Sequence, residues 1–273
     1  TNRVFGHAAL TAILDRIAAD PVLPKLISLE AIRSDGPTMQ ALVHALDERG
    51  SAPCILHEGR RPVLSSNLDA KQYFEQALSS STRKKLRQHR RRLVEKGALE
   101  RGACHEAKAV GEAFEDFLRL EAVGWKGRRG TALLCNQSDA NFARAIVAAL
   151  ARRGNASVYA LYQHGKAVAS QVVLRAGDIA FTWKTAYDEE LGDFSPGMLL
   201  LEDYTTTLLA GKSIALVDSC AFDDRGFMSA WSERQDVADV LLDSRRGGSL
   251  LFRVVAGLQK TALALRAFLK AIF

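Results

Sequence analysis

At 273 residues and 29.8 kDa, with 48% apolar and 25% charged residues but only 20 Gly and 6 Pro, the chain is globular in composition and long enough for one large domain or two ordinary ones. That excludes a disordered chain, a collagen-like repeat and a small disulfide scaffold, and no run of about 18 apolar residues offers a membrane-spanning helix. The net charge of +6 and pI of 9.2 are concentrated in residues 82–97, TRKKLRQHRRRLVEKG, where eight Lys or Arg face Glu95 alone, a local +7 that leaves the rest of the chain at −1.

Residues 7–19 carry a helical pattern and lead into an extended PKLISLEAI. Residues 37–49 predict a helix with Pro37 in its first turn and Gly50 as its stop. A β-type stretch over 52–64 is interrupted at Glu58-Gly59-Arg60-Arg61, which predicts a hairpin turn. The basic segment is a helix that Ser81 or Thr82 can cap, with Leu86 and Leu93 seven apart on one face and Gly97 ending it. ALERGACHEA is extended, residues 110–123 are amphipathic (Phe114, Phe117, Leu118 and Glu121 at helical spacings), and residues 139–153 form a second amphipathic helix ending at Gly154.

The period then changes. SVYALYQ, KAVASQVVLRA and IAFTWKTAYD are β-type runs separated by His164-Gly165 and Gly177-Asp178, turns tight enough to require an antiparallel meander. Ser195-Pro196-Gly197 leads into a helix over 198–209 that stops at Gly211, SIALVDS and DVADVLLD are further strands, and residues 248–273 form a closing amphipathic helix. This order predicts an α+β fold, a mixed and mostly antiparallel sheet with helices on both faces. The expected division is a partial N-terminal half (1–80), a basic connecting helix (81–97), a main domain (98–245) and the C-terminal helix (246–273).

The four cysteines (Cys54, Cys104, Cys135, Cys220) form no CxxC pair, which argues for a reducing compartment and against a structural zinc site. The opening TNRVFGHAAL has no basic n-region and no apolar h-region, so no signal peptide is expected, the expected location is cytoplasmic, and no metal is expected. Gly211-Lys212-Ser213 lacks the first glycine of a P-loop, since position 206 is Thr.

The strongest local constellation is Asp193-Phe194-Ser195-Pro196-Gly197-Met198. Ser195 is a good N-cap residue, Pro196 suits the first helical turn, and Gly197 admits a close approach to the backbone. Such a helix start can hold a phosphate or pyrophosphate, or it can be a competent cap and nothing more.

Taken with WKGRRGTALL (125–134), AFTWKTAYDEELGDFSPGMLLLEDY (180–204) and STRKKLRQHRRRLVEKG (81–97), the chain resembles the bacterial GNAT-fold acyltransferases called BioF2-like, a group that includes CelD-like proteins of cellulose biosynthesis and is distantly related to the Fem peptidyltransferases. The resemblance covers roughly residues 20–245. It implies a GNAT fold, with a degenerate first half and a fuller second one. It also implies an acyltransferase that takes an acyl group, acetyl in the first instance, from acyl-CoA (acetyl-CoA) to an amine or hydroxyl of a small-molecule or saccharide acceptor. The donor pyrophosphate would meet Ser195, Pro196, Gly197 and Met198, with Lys184 on the adjoining strand. The GNAT signature Q/R-x-x-G-x-G/A keeps a single glycine here, and aminoacyl-tRNA, the donor of the Fem relatives, stands as the alternative.

Acyl transfer needs a proton acceptor and oxyanion donors, and main-chain N–H groups of a splayed strand commonly supply the latter in this fold. Tyr187, Asp188 and Glu121 are the candidates for handling protons. Strand alternation predicts Trp183, Thr185 and Tyr187 on one face and Thr182, Lys184, Ala186 and Asp188 on the other. Trp125, Lys126, Arg128 and Arg129 make a cationic loop suited to a phosphorylated or carboxylated acceptor, or a solvated turn plugged by its Trp. Asp218 and Arg225, with Trp183, complete the expected acceptor contacts. Arg225 would substitute for a lysine of the Fem relatives, because no Lys occurs from 213 to 259.

Helix 82–97 is either a solvated structural helix or a surface for an anionic partner. It carries no stacking aromatic, so sequence-specific nucleic-acid reading is not expected, while tRNA stays open as a donor. The terminal helix, with four cations and no acid, would pack on the sheet or a partner, or touch a membrane surface peripherally. A non-catalytic GNAT-like scaffold that binds polyanions or a synthase complex is the hypothesis from a different class.

Overall fold

The computed structural model describes residues 6–211, 213–221 and 226–272. In chain order the elements are α1 (Gly6–Ala19), β1 (Leu26–Arg33), α2 (Pro37–Asp47), β2 (Cys54–Leu64), α3 (Ala70–Ala77), α4 (Ser80–Glu95), β3 (Leu99–Cys104), α5 (Ala107–Val123), α6 (Trp125–Arg128), α7 (Gln137–Ala151), β4 (Ala156–Gln163), β5 (Lys166–Ala176), β6 (Ile179–Tyr187), α8 (Pro196–Ala210), β7 (Leu216–Asp218), β8 (Glu233–Asp243) and α9 (Leu250–Ile272). They fall into two compact units: residues 1–61 with 234–273, and residues 62–233. The chain thus returns to its first unit through β8.

In the first unit β1 pairs antiparallel with β8 from Leu26–Asp243 to Arg33–Val237, and β2 lies next to β8. Leu14 of α1 and Met39, Leu42 and Leu46 of α2 bury against Val240 and Leu242. Here the predicted hairpin at 58–61 is corrected. β2 runs unbroken through Glu58-Gly59-Arg60-Arg61, because Gly59 does not enter the left-handed region and the strand pairs with distant strands rather than folding back on itself.

In the second unit β3, β4, β5 and β6 form an antiparallel run, β6 pairs parallel with β7, and β7 pairs antiparallel with the end of β2 at Val63 and Leu64. His164 and Gly165 both take positive φ, 52° and 71°, as a tight hairpin of this hand requires. One face of the meander buries Phe114, Phe117, Val147, Val158, Val172 and Ala186 beneath α5 and α7. The other buries Tyr73, Leu86, Leu93, Leu161, Leu199, Tyr204 and Trp231 with α3, α4 and α8. The fold is therefore the expected α+β one, a mostly antiparallel mixed sheet with helices on both faces.

Two details depart from the local sequence pattern. Helix α4 is capped by Ser79, whose hydroxyl accepts from Thr82 N–H at 3.1 Å, and not by Ser81 or Thr82. Helix α3, capped by Asp69 accepting from Gln72 N–H at 2.8 Å, was not anticipated.

Candidate functional site

β6 is nine residues long but pairs with β7 only across Ile179–Leu216, Ala180–Val217 and Phe181–Asp218. Beyond that point the Thr182 hydroxyl donates to Ser219 O at 2.6 Å, and the rest of the β6 edge facing β7 has no strand partner among the described residues. The two strands splay. β6 also carries a bulge: Phe181 opposes Leu174 and Lys184 opposes Val172, so Thr182 and Trp183 together span Val173.

The bulge corrects the predicted alternation. Trp183 stacks near Phe114 of α5 (centroids 6.5 Å apart) and Lys184 pairs with Glu121 of the same helix, so these two neighbours share a face. The extra residue resets the period of two, and Tyr187, at the strand's end, borders the first turn of α8.

A cavity of about 390 Å³ opens at that first turn, lined by Ser195, Pro196, Gly197, Met198 and Tyr187 and by Thr82, Lys85, Leu86 and His89 of α4. Ser195 is not the side-chain cap predicted. Its backbone is left-handed (φ 51°, ψ 53°), a conformation in which its hydroxyl makes no cap hydrogen bond, while its carbonyl accepts from Met198 and Leu199 N–H at 3.0 and 3.1 Å. Pro196 has no N–H, which leaves the Gly197 amide as the first-turn donor without a partner among the described residues. Helix α4 is held against α8 by Arg90, which donates to Asp203 and Glu202 at 3.0 Å and to Leu199 O at 3.2 Å. Burial works against the Arg90 charge, and the two carboxylates outweigh it, raising its pKa.

On the opposite face of β6, Glu121 is 2% exposed and fully engaged. One oxygen accepts from Lys126 at 3.1 Å and Lys184 at 3.3 Å, and the other from Leu133 N–H at 2.9 Å. Lys126 also donates to Thr185 O at 3.1 Å. In the same loop Arg128 pairs with Glu189 and Trp125 N–H donates to it, and these bonds hold that carboxyl below its ordinary range. Arg129 stacks over Trp125 at 5.2 Å. Gly127 packs so closely that a Cβ would lie 1.7 Å from Ala122 O. The loop's cations thus all have partners within the fold.

Asp188 caps the turn after β6, accepting from Glu190 N–H at 2.9 Å. Asp218 is buried at the end of β7 and accepts from Cys220 N–H at 2.8 Å. Arg225 lies outside the described residues. The structure therefore gathers Ser195, Pro196, Gly197, Met198 and Tyr187 at one cavity, and Glu121, Trp125, Lys126, Trp183 and Lys184 across β6. Thr82, Lys85, His89 and Glu189 were missed, although the i, i+3, i+4, i+7 spacing of Thr82, Lys85, Leu86 and His89 puts them on one helical face.

A larger cavity of about 580 Å³ lies where α8 ends, between Leu64, Asn67, Leu208 and Ile214, and no titratable side chain among the described residues lines it. His7, His44 and Glu48 come together in the first unit, with His7 Nε2 3.0 Å from Glu48. No helix among the described residues is long and apolar enough to cross a membrane.

A family model described as an acetyltransferase (GNAT) domain matches residues 80–221, just over half of the chain. FemX shares the fold at TM-score 0.54 and 12% identity, over 85% of this chain and 76% of that one. So does the C-terminal domain (DUF2156) of a putative lysylphosphatidylglycerol synthetase from Agrobacterium fabrum, at 0.53 and 13%, over 94% and 77%. A conserved protein of unknown function from Bacteroides thetaiotaomicron VPI-5482 aligns at 0.52 and 12%, over 86% and 76%. No curated protein matches the chain.

Proposed function

The chain belongs to the acetyltransferase (GNAT) domain family, and from that premise we propose that it transfers an acyl group, acetyl in the first instance, from acyl-CoA to an amine or hydroxyl of a small-molecule or saccharide acceptor. The observation that carries this is the departure of β6 from β7 beside the cavity at the start of α8. A thioester in the splay would have its carbonyl beside β6 main-chain N–H groups that have no strand partner among the described residues, where an oxyanion can be stabilised. Its diphosphate would meet the Gly197 amide and the positive end of the fifteen-residue α8.

The acceptor nitrogen or oxygen attacks the thioester carbonyl and loses its proton, the C–S bond breaks, and the thiolate leaves and takes up a proton. Tyr187, at the cavity and 36% exposed, is the residue we assign to this transfer: its hydroxyl gives its proton to the leaving thiolate and recovers the proton that the acceptor loses. Glu121 and Asp188 are already spent on hydrogen bonds. The four free cysteines and a thioester donor suit a reducing, cytoplasmic setting.

Calorimetric titration of the chain with acetyl-CoA, CoA and bulk tRNA at two salt concentrations tests the donor. Micromolar CoA binding is the expected result, and silence from all three would leave a non-catalytic scaffold. Release of CoA thiol over an acceptor panel then reads turnover, in which Tyr187→Phe should lower kcat while donor affinity stays. A second reading has its own support: Lys85 of the basic α4 lines this same cavity, which suits the aminoacyl-tRNA donor implied by the Fem resemblance. Salt-steep tRNA binding without CoA binding would favour it.

A further inference from the structure

We infer that the inner face of α4 is an anion clamp that completes the donor cavity, with His89 as a hydrogen-bond donor and Lys85 as its cation, both directed at phosphate oxygens; this rests on the donor reading above. The first turn of α8 keeps a single glycine of the expected phosphate signature and, among the described residues, offers one free main-chain N–H, at Gly197. The missing donors have to come from elsewhere, and α4 is the element that lines the cavity's other wall.

His89 is 8% exposed, and its Nδ1 is sealed from solvent with no hydrogen-bond partner. A proton on that nitrogen would face no acceptor, so it belongs on Nε2. Nε2 has no partner among the described residues, and it is the polar atom this ring has left to present to the cavity it lines. A buried imidazole with one sealed nitrogen and one unengaged donor is a group waiting for an acceptor.

The charge around it points to an anion. Lys85, one turn earlier, is exposed and makes no ion pair among the described residues, and Thr82 adds a hydroxyl. Among the described residues no carboxylate lines the cavity, and the α8 N-terminus adds its partial positive charge. The four Arg90 bonds to α8 fix α4 in this orientation, so the donors are preorganised. The phosphate could be the diphosphate of CoA or a phosphodiester of tRNA; the clamp reads the chemistry they share.

The test titrates the full chain with inorganic pyrophosphate, CoA, pantetheine and bulk tRNA. His89→Phe keeps the ring's bulk without its donor, His89→Gln keeps a donor near Nε2, and Lys85→Ala removes an exposed cation at no risk to the fold. Arg91→Ala, on the exposed side of α4 and paired with Glu95, is the control. His89→Phe and Lys85→Ala should each weaken pyrophosphate and the true donor by about tenfold. His89→Gln should recover most of that loss, while pantetheine affinity and the Arg91→Ala protein stay unchanged. Losses confined to tRNA, with CoA silent, would support the clamp with the other donor. If the wild type binds CoA or tRNA and both clamp variants bind it equally well, the clamp is wrong and the donor reading stands. A wild type that binds no phosphate probe overturns both.

Discussion

Gly197→Asp separates donor binding from folding by giving the two opposite signs. A Cβ at Gly197 would meet only the Tyr187 ring, at 3.4 and 3.9 Å, which is ordinary contact, and its φ is not positive. The side chain therefore fits. A carboxylate in the first turn of α8 interacts favourably with the helix dipole by about 0.3–1 kcal/mol. The ligand-free protein should then melt at an unchanged temperature or up to about 3 °C higher.

A donor phosphate held by the Gly197 amide would meet the same carboxylate at about 4 Å. Two unit charges at that distance repel by about 4 kcal/mol at an effective dielectric of 20, and the open cavity reduces this to about 1.5–3 kcal/mol, or about 10- to 150-fold in affinity. Calorimetry with CoA, run beside a thermal melt and with Gly197→Ala as the uncharged control, reads both quantities. Unchanged affinity in a folded Asp variant would refute the phosphate site. A large drop in melting temperature would refute the steric argument instead.

Three further outcomes follow from the geometry. Glu121→Ala strips two half-buried lysines and the Leu133 N–H of their acceptor and should cost about 3–5 kcal/mol in urea unfolding, Glu121→Gln clearly less; equal losses would mean that the charge is immaterial. Gly127→Ala forces a Cβ into the Ala122 carbonyl and should cost about 1–3 kcal/mol, and a neutral result would mean that α6 shifts freely. Burial alone would raise the pKa of Asp243, but hydrogen bonds from Arg245 and Ser249 overcome it and hold the group at about 2. Its contribution, about 2–3 kcal/mol, is present above the ordinary carboxylate pKa and fades as pH falls from about 4 through 2. Asp243→Asn should therefore trail wild type at pH 7 and converge with it in that acid window, as pH-dependent denaturant melts will report.

How far each element could be read from sequence follows from where its partners lie. The meander was legible because Gly165 and Gly177 mark turns and the runs between them alternate, both local properties. Residues 58–61 misled because Gly-Arg-Arg has turn composition, whereas strand or turn was decided by β8, some 180 positions away. The β6 bulge is equally invisible: nothing in FTWK says that Thr182 and Trp183 will share one partner, so the faces assigned to Trp183 and Lys184 came out wrong from a correct strand. At the site, Ser-Pro-Gly announced a helix start, but the left-handed Ser195 that exchanges a side-chain cap for a carbonyl one is set by the preceding turn.

The basic helix shows how a charge count can mislead until its partners are known. Of its cations, Arg83 pairs with Glu75, Arg91 with Glu95, and Arg90 with Glu202 and Asp203, more than a hundred positions away. Of the eight cations, Arg83 and Arg90 hold α4 against its neighbours and Arg91 pairs within the helix, so net charge alone does not say which of them meet a ligand. Lys85 is different because it stands beside a helix start and a cavity with no acid in its lining among the described residues. A helix braced by Arg83 and Arg90, with Lys85 and His89 turned to the cavity, is suited to gripping a compact phosphate there. The salt slope of donor binding should accordingly be shallow, near one or two phosphate contacts, and a slope of six or more would mean that the outer arginines bind as well.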